Sequence, residues 1–268
     1  MNFFKPKKGT HVDVAVVKRV RNSICAIGYL MVPMTQHKKD PTKPNFRIVG
    51  TGFLVAENLV ITCRHVVKKL EELEDHEDIP KDQILLCFVY PQLEKSTDWQ
   101  WSYIPYGKLI SPEAPGVPDL AFITIPKEDK RATDFAQCAP VVFGDLAKVQ
   151  LGDHIAMWGY PEGEALHLPG LKYEPQIDVV RTGPILQQGY VSAGSPFEVE
   201  GAAEYLLDIR TTGGMSGSPV FNPRTGEVIG VHYKGNKLTT SVALAFGLNH
   251  IEHWLAELKP VLQATKAS

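Results

Sequence analysis

The stretch Thr211-Thr212-Gly213-Gly214-Met215-Ser216-Gly217-Ser218-Pro219-Val220-Phe221 decides how the rest of the chain is read. A serine among small residues can expose its hydroxyl on a sharp turn, and glycines let backbone N–H groups converge on a developing oxyanion. A glycine-rich turn between two strands would have the same spelling. The serine carries chemistry only if a base and an orienting carboxylate stand elsewhere in the chain. The G-x-S-x-G spelling of a nucleophile elbow is absent, because position 218 is serine.

Two upstream segments supply those partners. In Leu59-Val60-Ile61-Thr62-Cys63-Arg64-His65-Val66-Val67 a β-branched run ends in a histidine, and in Val117-Pro118-Asp119-Leu120-Ala121-Phe122-Ile123 an aspartate opens another apolar run. Alone, such a histidine reads as a surface or satisfied core residue, and such an aspartate as a turn residue. With Ser216 they make the order His65, Asp119, Ser216. That is the chain order of the chymotrypsin-like triad, not the Ser-Asp-His order of α/β-hydrolases or the Asp-His-Ser order of subtilisin.

The chain around these segments has 268 residues, 44% of them apolar and 22% charged, which excludes a peptide scaffold and a disordered chain. A net charge of −2 supplies no basic field for nucleic acid or an anionic membrane, so neither is expected as a partner. The N-terminus Met1-Asn2-Phe3-Phe4-Lys5-Pro6-Lys7-Lys8 lacks the apolar stretch of a secretory signal. The longest apolar run, Ile24 to Met34, is interrupted by Gly28 and Pro33 and falls short of the roughly 20 residues that span a bilayer. A cytoplasmic chain is expected. Cys25, Cys63, Cys87 and Cys138 form no C-x-x-C pair, so free buried thiols are expected rather than zinc or a disulfide framework. His250 and His253 have no matching ligand motif, and no metal or other cofactor is expected.

Short β-branched or apolar segments bounded by Gly, Pro, Asn or Asp fill most of the sequence, which reads as an all-β protein. They run from Val12–Val17 and Ile24–Val32 to Val228–Val231 and Val242–Leu248, with Tyr103–Ile110 and Asp178–Leu186 among them. Two stretches read as helices. One is Val66–Glu77; the other is Leu248–Ala264, where Ile251, Trp254, Leu255, Leu258, Val261 and Leu262 share a face. The expected division is a tail at 1–11, a first barrel at 12–130, a second at 131–249, and a C-terminal helix and tail at 250–268.

Val60–Val66, Asp119-Leu120-Ala121 and Gly214-Met215-Ser216-Gly217-Ser218-Pro219-Val220 resemble the histidine, aspartate and nucleophile motifs of trypsin-like serine proteases. Continuation of the last through Asn222 and Gly226-Glu227-Val228-Ile229-Gly230-Val231-His232, together with Trp158-Gly159-Tyr160-Pro161, is similar to the glutamyl endopeptidase branch. The resemblance implies two six-stranded antiparallel β-barrels packed around a cleft, with a C-terminal α-helix. His65 and Asp119 would lie on the first barrel and Ser216 on the second. It implies a serine endopeptidase acting on polypeptides, with backbone N–H groups of Gly214 and Ser216 as the oxyanion hole. The rival reading is a protease-like scaffold without turnover, against which the intact triad argues. No regulatory partner is identifiable.

The same resemblance assigns the substrate pocket. Arg210 stands where trypsin carries an aspartate, while Thr211 and His232 match the polar pocket residues of glutamyl endopeptidases. An acidic P1 residue is therefore expected, with Gln as the alternative, because hydroxyl and imidazole can both donate to a carboxylate or an amide oxygen. His232 could instead be structural, and the long Arg210 side chain could leave the pocket for solvent. Tyr233-Lys234-Gly235 would be the edge on which a substrate strand adds, with Gly235 leaving it room. Val66 replaces a cysteine common after the catalytic histidine. Met215 replaces the aspartate that pairs with a newly cut N-terminal ammonium in many zymogens, so another device must order the loop or the site is formed constitutively.

Overall fold

The computed structural model describes residues 12–37, 39, 46–75, 79–91, 99–111, 118–126, 138–161, 183–195, 204–235, 242–247 and 256. Seven strands in the first half are β1 (Ile24–Leu30), β2 (Phe46–Ala56), β3 (Leu59–Thr62), β4 (Ile84–Pro91), β5 (Trp99–Pro105), β6 (Leu109–Ile110) and β7 (Ala121–Thr124). The second half contributes β8 (Val142–Phe143), β9 (His154–Gly159), β10 (Ile185–Ser195), β11 (Glu204–Asp208), β12 (Pro219–Phe221), β13 (Glu227–Gly235) and β14 (Val242–Gly247). Helices α1 (Val14–Arg21), α2 (Met34–His37) and α3 (Arg64–Asp75) join them. Among the described residues no helix is long and apolar enough to cross a membrane.

The strands form two curled sheets, ordered β5-β4-β1-β2-β3-β7-β6 and β12-β9-β10-β11-β14-β13-β8. Because β12 also pairs with β13, six strands of the second sheet close into a ring, and β8 adds outside it as a parallel neighbour of β13. The double-barrel architecture is thus the expected one, with seven strands per sheet instead of six and one parallel pairing. In the first sheet the extra strand arises because the expected Tyr103–Ile110 strand breaks at Tyr106-Gly107-Lys108. The Gly107 N–H bonds to the Thr124 carbonyl at 2.7 Å and the Lys108 N–H to the Thr124 hydroxyl at 2.7 Å. This carries the chain from the β5 edge to the opposite edge, where β6 pairs with β7.

The apolar faces of the strands collect in three clusters. One fills the first sheet around Ile27, Leu54, Val60 and Phe88; another fills the second around Ile155, Met157, Leu207 and Val220. The third joins them, with Phe53 and Phe122 of the first sheet packed in one cluster with Ala156, Phe221 and Val231 of the second. Full burial of each such large side chain contributes roughly 1.5–3 kcal/mol, so this shared cluster fixes the two sheets against each other.

Val12–Val17 is a correction, since the segment enters helix α1 instead of forming a strand. The Asp13 side chain caps it, accepting from the N–H groups of Ala15 at 2.9 Å and Val16 at 3.3 Å, and Val17 and Val20 are buried in the shared cluster. A cap is worth about 0.5–2 kcal/mol. The β-branched preference against helix is only tenths of a kcal/mol per residue, and tertiary contacts outweigh it. Those contacts reach the second sheet: the Asp13 N–H donates to the Pro223 carbonyl, Arg19 to the Thr225 carbonyl, and the Trp158 indole to the Val17 carbonyl. Helix α3 starts two residues earlier than expected, and the part of the expected helix beyond Asp75 lies outside the described residues. Of the expected strand Asp178–Leu186 only the end is described, merged with the next segment into β10. The expected C-terminal helix, with His250 and His253, lies outside the described residues, Ala256 excepted.

Candidate active site

Strand β3 ends at Thr62, and after Cys63 the chain turns at once into α3, which puts His65 in the first helical turn. Because β3 pairs with β7 through Thr62 and Ala121, the residues just beyond these ends are neighbours. Asp119 therefore faces His65. Its carboxylate takes the His65 backbone N–H on one oxygen at 3.0 Å and meets the ring Nδ1 with the other at 2.5 Å. The backbone is pinned as well, by the Arg64 N–H on the Asp119 carbonyl and the Arg64 guanidinium on the Pro118 carbonyl. A carboxylate oxygen accepts, so this contact is met by the tautomer that carries its proton on Nδ1, and the His65 side chain is about half exposed.

Ser216 sits in the loop between β11 and β12, with Gly214 and Gly217 at φ 87° and 89°, a conformation side chains resist. The loop is hung on both barrels. The Gly217 N–H and the Cys63 thiol both donate to the carbonyl of His232, at 2.8 and 3.3 Å. Thr51 in β2 donates its N–H to the Ser216 carbonyl at 2.8 Å and its hydroxyl to the Gly214 carbonyl at 2.8 Å. A side chain at Gly217 would run into the Thr51 carbonyl and the Thr62 hydroxyl. Ser216 is thereby kept beside the strand end that carries His65. Thr51 and Thr62 were not legible as site residues in the sequence, although the Gly50-Thr51-Gly52 spelling inside a strand is a signal of close backbone approach.

The expected pocket residues separate. His232 is buried, and its Nδ1 donates to the Met215 carbonyl at 3.1 Å while Nε2 has no hydrogen-bond partner. Burial is the largest cause that pushes its pKa down to about 4, against backbone contacts with Met215 and Lys234 that raise it, so the ring is neutral and Nε2 carries the lone pair. Thr211 is half-buried beside Gly235, where any side chain would strike its hydroxyl. Arg210 is exposed and lines an open cavity of about 460 Å³ with Gln187, Gln188, Tyr190 and Asp208. The Tyr233 hydroxyl donates to Glu204 at 3.1 Å, and burial together with that carboxylate raises its pKa to about 12. Beyond Val231, β13 pairs with β14 through His232 and Ala245, Lys234 and Leu244, and Gly235 and Ala243.

Among the described residues, Cys63, His65 and Asp119 are the one group whose donor atoms gather within 4.8 Å of one another. They are engaged already. Nδ1 and the carboxylate bond to each other, and the buried thiol, its pKa raised by desolvation, points at the His232 carbonyl. All four cysteines are free, and Cys25, Cys63 and Cys87 are buried, as expected.

Residues 50–231 match the family described as trypsin-like peptidase domain. Glutamyl endopeptidase of Staphylococcus epidermidis is 28% identical over 198 residues, which is 72% of this chain and 57% of the relative, so the chain matches little more than half of that protein's length. Among solved structures, the active form of the Rv3671c protease from M. tuberculosis superposes with a TM-score of 0.54 at 17% identity, covering 96% of this chain and 95% of that one. Deg5 gives 0.54 at 18% identity, over 93% and 95%. The HtrA-type protease AlgW gives 0.55 at 14% identity, over 91% of this chain and 62% of that one. At these identities the structures speak for the fold.

Proposed function

Because the chain belongs to the trypsin-like peptidase family, we propose that it is a serine endopeptidase in which Ser216 is the nucleophile, His65 the base and Asp119 the residue that orients His65. The observation that carries this reading is the two-oxygen grip of Asp119 on His65, which fixes the tautomer a general base needs. In the first step the Ser216 oxygen bonds to the substrate carbonyl carbon, its proton passes to His65 Nε2, and Asp119 stabilises the imidazolium. The carbonyl oxygen becomes an oxyanion received by the N–H groups of Gly214 and Ser216. His65 then gives the proton to the leaving amine, and water attacks the acyl-enzyme by the same route to return the serine.

For the P1 side chain the reading is an acidic residue held at Thr211 and His232, in keeping with the glutamyl endopeptidase relative. A carboxylate facing a bare Nε2 needs a proton between them, so Glu binds together with one proton. A P1 Gln is the second reading, since its amide N–H can donate to Nε2 directly. Arg210 belongs to the proposal only as an outer counter-charge, because it is exposed. The free thiols support a reducing, cytoplasmic setting. The test is digestion of a peptide library by the chain and by Ser216→Ala. Cleavage after Glu, Asp or Gln that vanishes in the variant supports the reading, and cleavage after Arg or Lys overturns the pocket assignment.

A further inference from the structure

The loop that carries Ser216 must be held by something other than an ion pair at position 215, because Met215 offers no carboxylate and is fully buried. Thr51, itself without solvent exposure, bonds this loop and its supports with every polar atom it has. Its hydroxyl donates to the Gly214 carbonyl at 2.8 Å and accepts the Tyr160 N–H at 3.2 Å. Its N–H holds the Ser216 carbonyl at 2.8 Å, and its own carbonyl receives the Thr62 hydroxyl at 2.7 Å. An amide nitrogen can only donate and a carbonyl can only accept, so the hydroxyl has one arrangement that satisfies both neighbours.

The two carbonyls that Thr51 holds lie on either side of Met215. The backbone between them includes the N–H of Ser216, and Gly214, at φ 87°, has no Cβ to oppose rotation of its peptide planes. We propose that the Thr51 hydroxyl is the positioning residue of the oxyanion hole, a neutral bond from the first barrel that keeps the N–H groups of Gly214 and Ser216 aimed at the substrate oxygen. The proposal rests on the reading of Ser216 as nucleophile. Without the hydroxyl, the Gly214 carbonyl loses this buried donor, and the planes can turn to find another. Because the bond carries no charge, it works at any ionic strength and needs no freshly cut ammonium group.

The test compares Thr51→Ser, which keeps the hydroxyl, with Thr51→Val, which keeps the shape, and Thr51→Ala, which keeps neither. Each is measured well below its melting temperature, with wild type and Ser216→Ala alongside. Thr51→Val and Thr51→Ala should each lose about 10–100-fold in kcat, less than the 10²–10³-fold lost when an oxyanion donor itself is removed. KM should stay within threefold, and affinity for a peptide aldehyde, whose adduct puts an oxyanion in the hole, should fall by the same factor as kcat. Thr51→Ser should retain at least a third of the wild-type kcat, and this arm stands even if the other two variants do not fold. A hydroxyl-free variant within threefold of wild type in kcat, or Thr51→Ser reduced 10-fold or more, overturns the proposal. Turnover that survives in Ser216→Ala removes the nucleophile assignment and the proposal with it.

Discussion

His232 Nδ1 donates to the carbonyl of Met215, the residue before Ser216, and that bond leaves Nε2 as the nitrogen that the proposed P1 pocket would offer a substrate. The nitrogen left over, Nε2, is buried and bare. If the proposed pocket reads P1 through this nitrogen, it discriminates by what a substrate can donate, which makes its selectivity a function of pH.

The ratio of kcat/KM for P1-Glu to that for matched P1-Gln peptides should fall as pH rises. Free His232 is neutral above about 4, so a bound carboxylate must bring or capture a proton, while an amide brings its own. Each pH unit costs the Glu substrate up to about tenfold until the complex itself loses the proton. Taking the ratio cancels any pH dependence common to both substrates, and a ratio constant from pH 5 to 8 would show that Nε2 is not the recognising atom.

Acid stability follows from the same residue. A histidine whose folded pKa is lowered from 6.5 to about 4 takes up its proton more readily unfolded, so stability is intact above pH 6.5 and declines as pH falls toward 4. The loss over that window is on the order of 3 kcal/mol. Thermal melts of the chain and of His232→Gln at pH 7 and pH 4.5 check the sign: the variant should lose less on acidification, and an equal loss would assign the acid limb to other groups.

How much of this was legible in the sequence depends on the range of the cause. His65, Asp119 and Ser216 stand out because strand ends and glycine turns are local spellings, and the β3–β7 pairing that joins the first two is written in two short, continuous apolar runs. Helix α1 was misread because its anchorage to Pro223 and Thr225 is distant in sequence, and its cap, Asp13, is a single polar residue inside the β-branched run that suggested a strand. Likewise the break at Gly107 depends on Thr124, and the tautomer of His232 on a carbonyl seventeen residues away. Thr51 shows the limit most plainly, since nothing about a threonine says that its hydroxyl will meet a glycine carbonyl 163 residues later.

Gly217→Ala should damage fold and activity together. The residue sits at φ 89°, and a methyl there meets the Thr51 carbonyl, which is backbone and cannot step aside. A non-glycine residue in that region costs about 1–3 kcal/mol before any clash. Differential scanning calorimetry should show a clearly lower Tm, whereas an unchanged Tm would mean that the loop is looser than its hydrogen bonds indicate.

Asp119→Asn should leave the fold intact, because one oxygen can still accept the His65 N–H, but the amide nitrogen then faces Nδ1 and forces the wrong tautomer. A drop on the order of 10⁴ in kcat is expected from the worked behaviour of such triads. A loss below tenfold would mean that another group orients His65.

The central claim is that Ser216 is a nucleophile activated by His65, and active-site labelling tests it without knowledge of the substrate. The native chain is treated with a fluorophosphonate, and the adduct is mapped by mass spectrometry in wild type, His65→Ala and Ser216→Ala. The account predicts one label per chain, on Ser216, lost on prior denaturation and absent in both variants. A folded wild-type chain that takes no label, or a label that persists in Ser216→Ala, would contradict it.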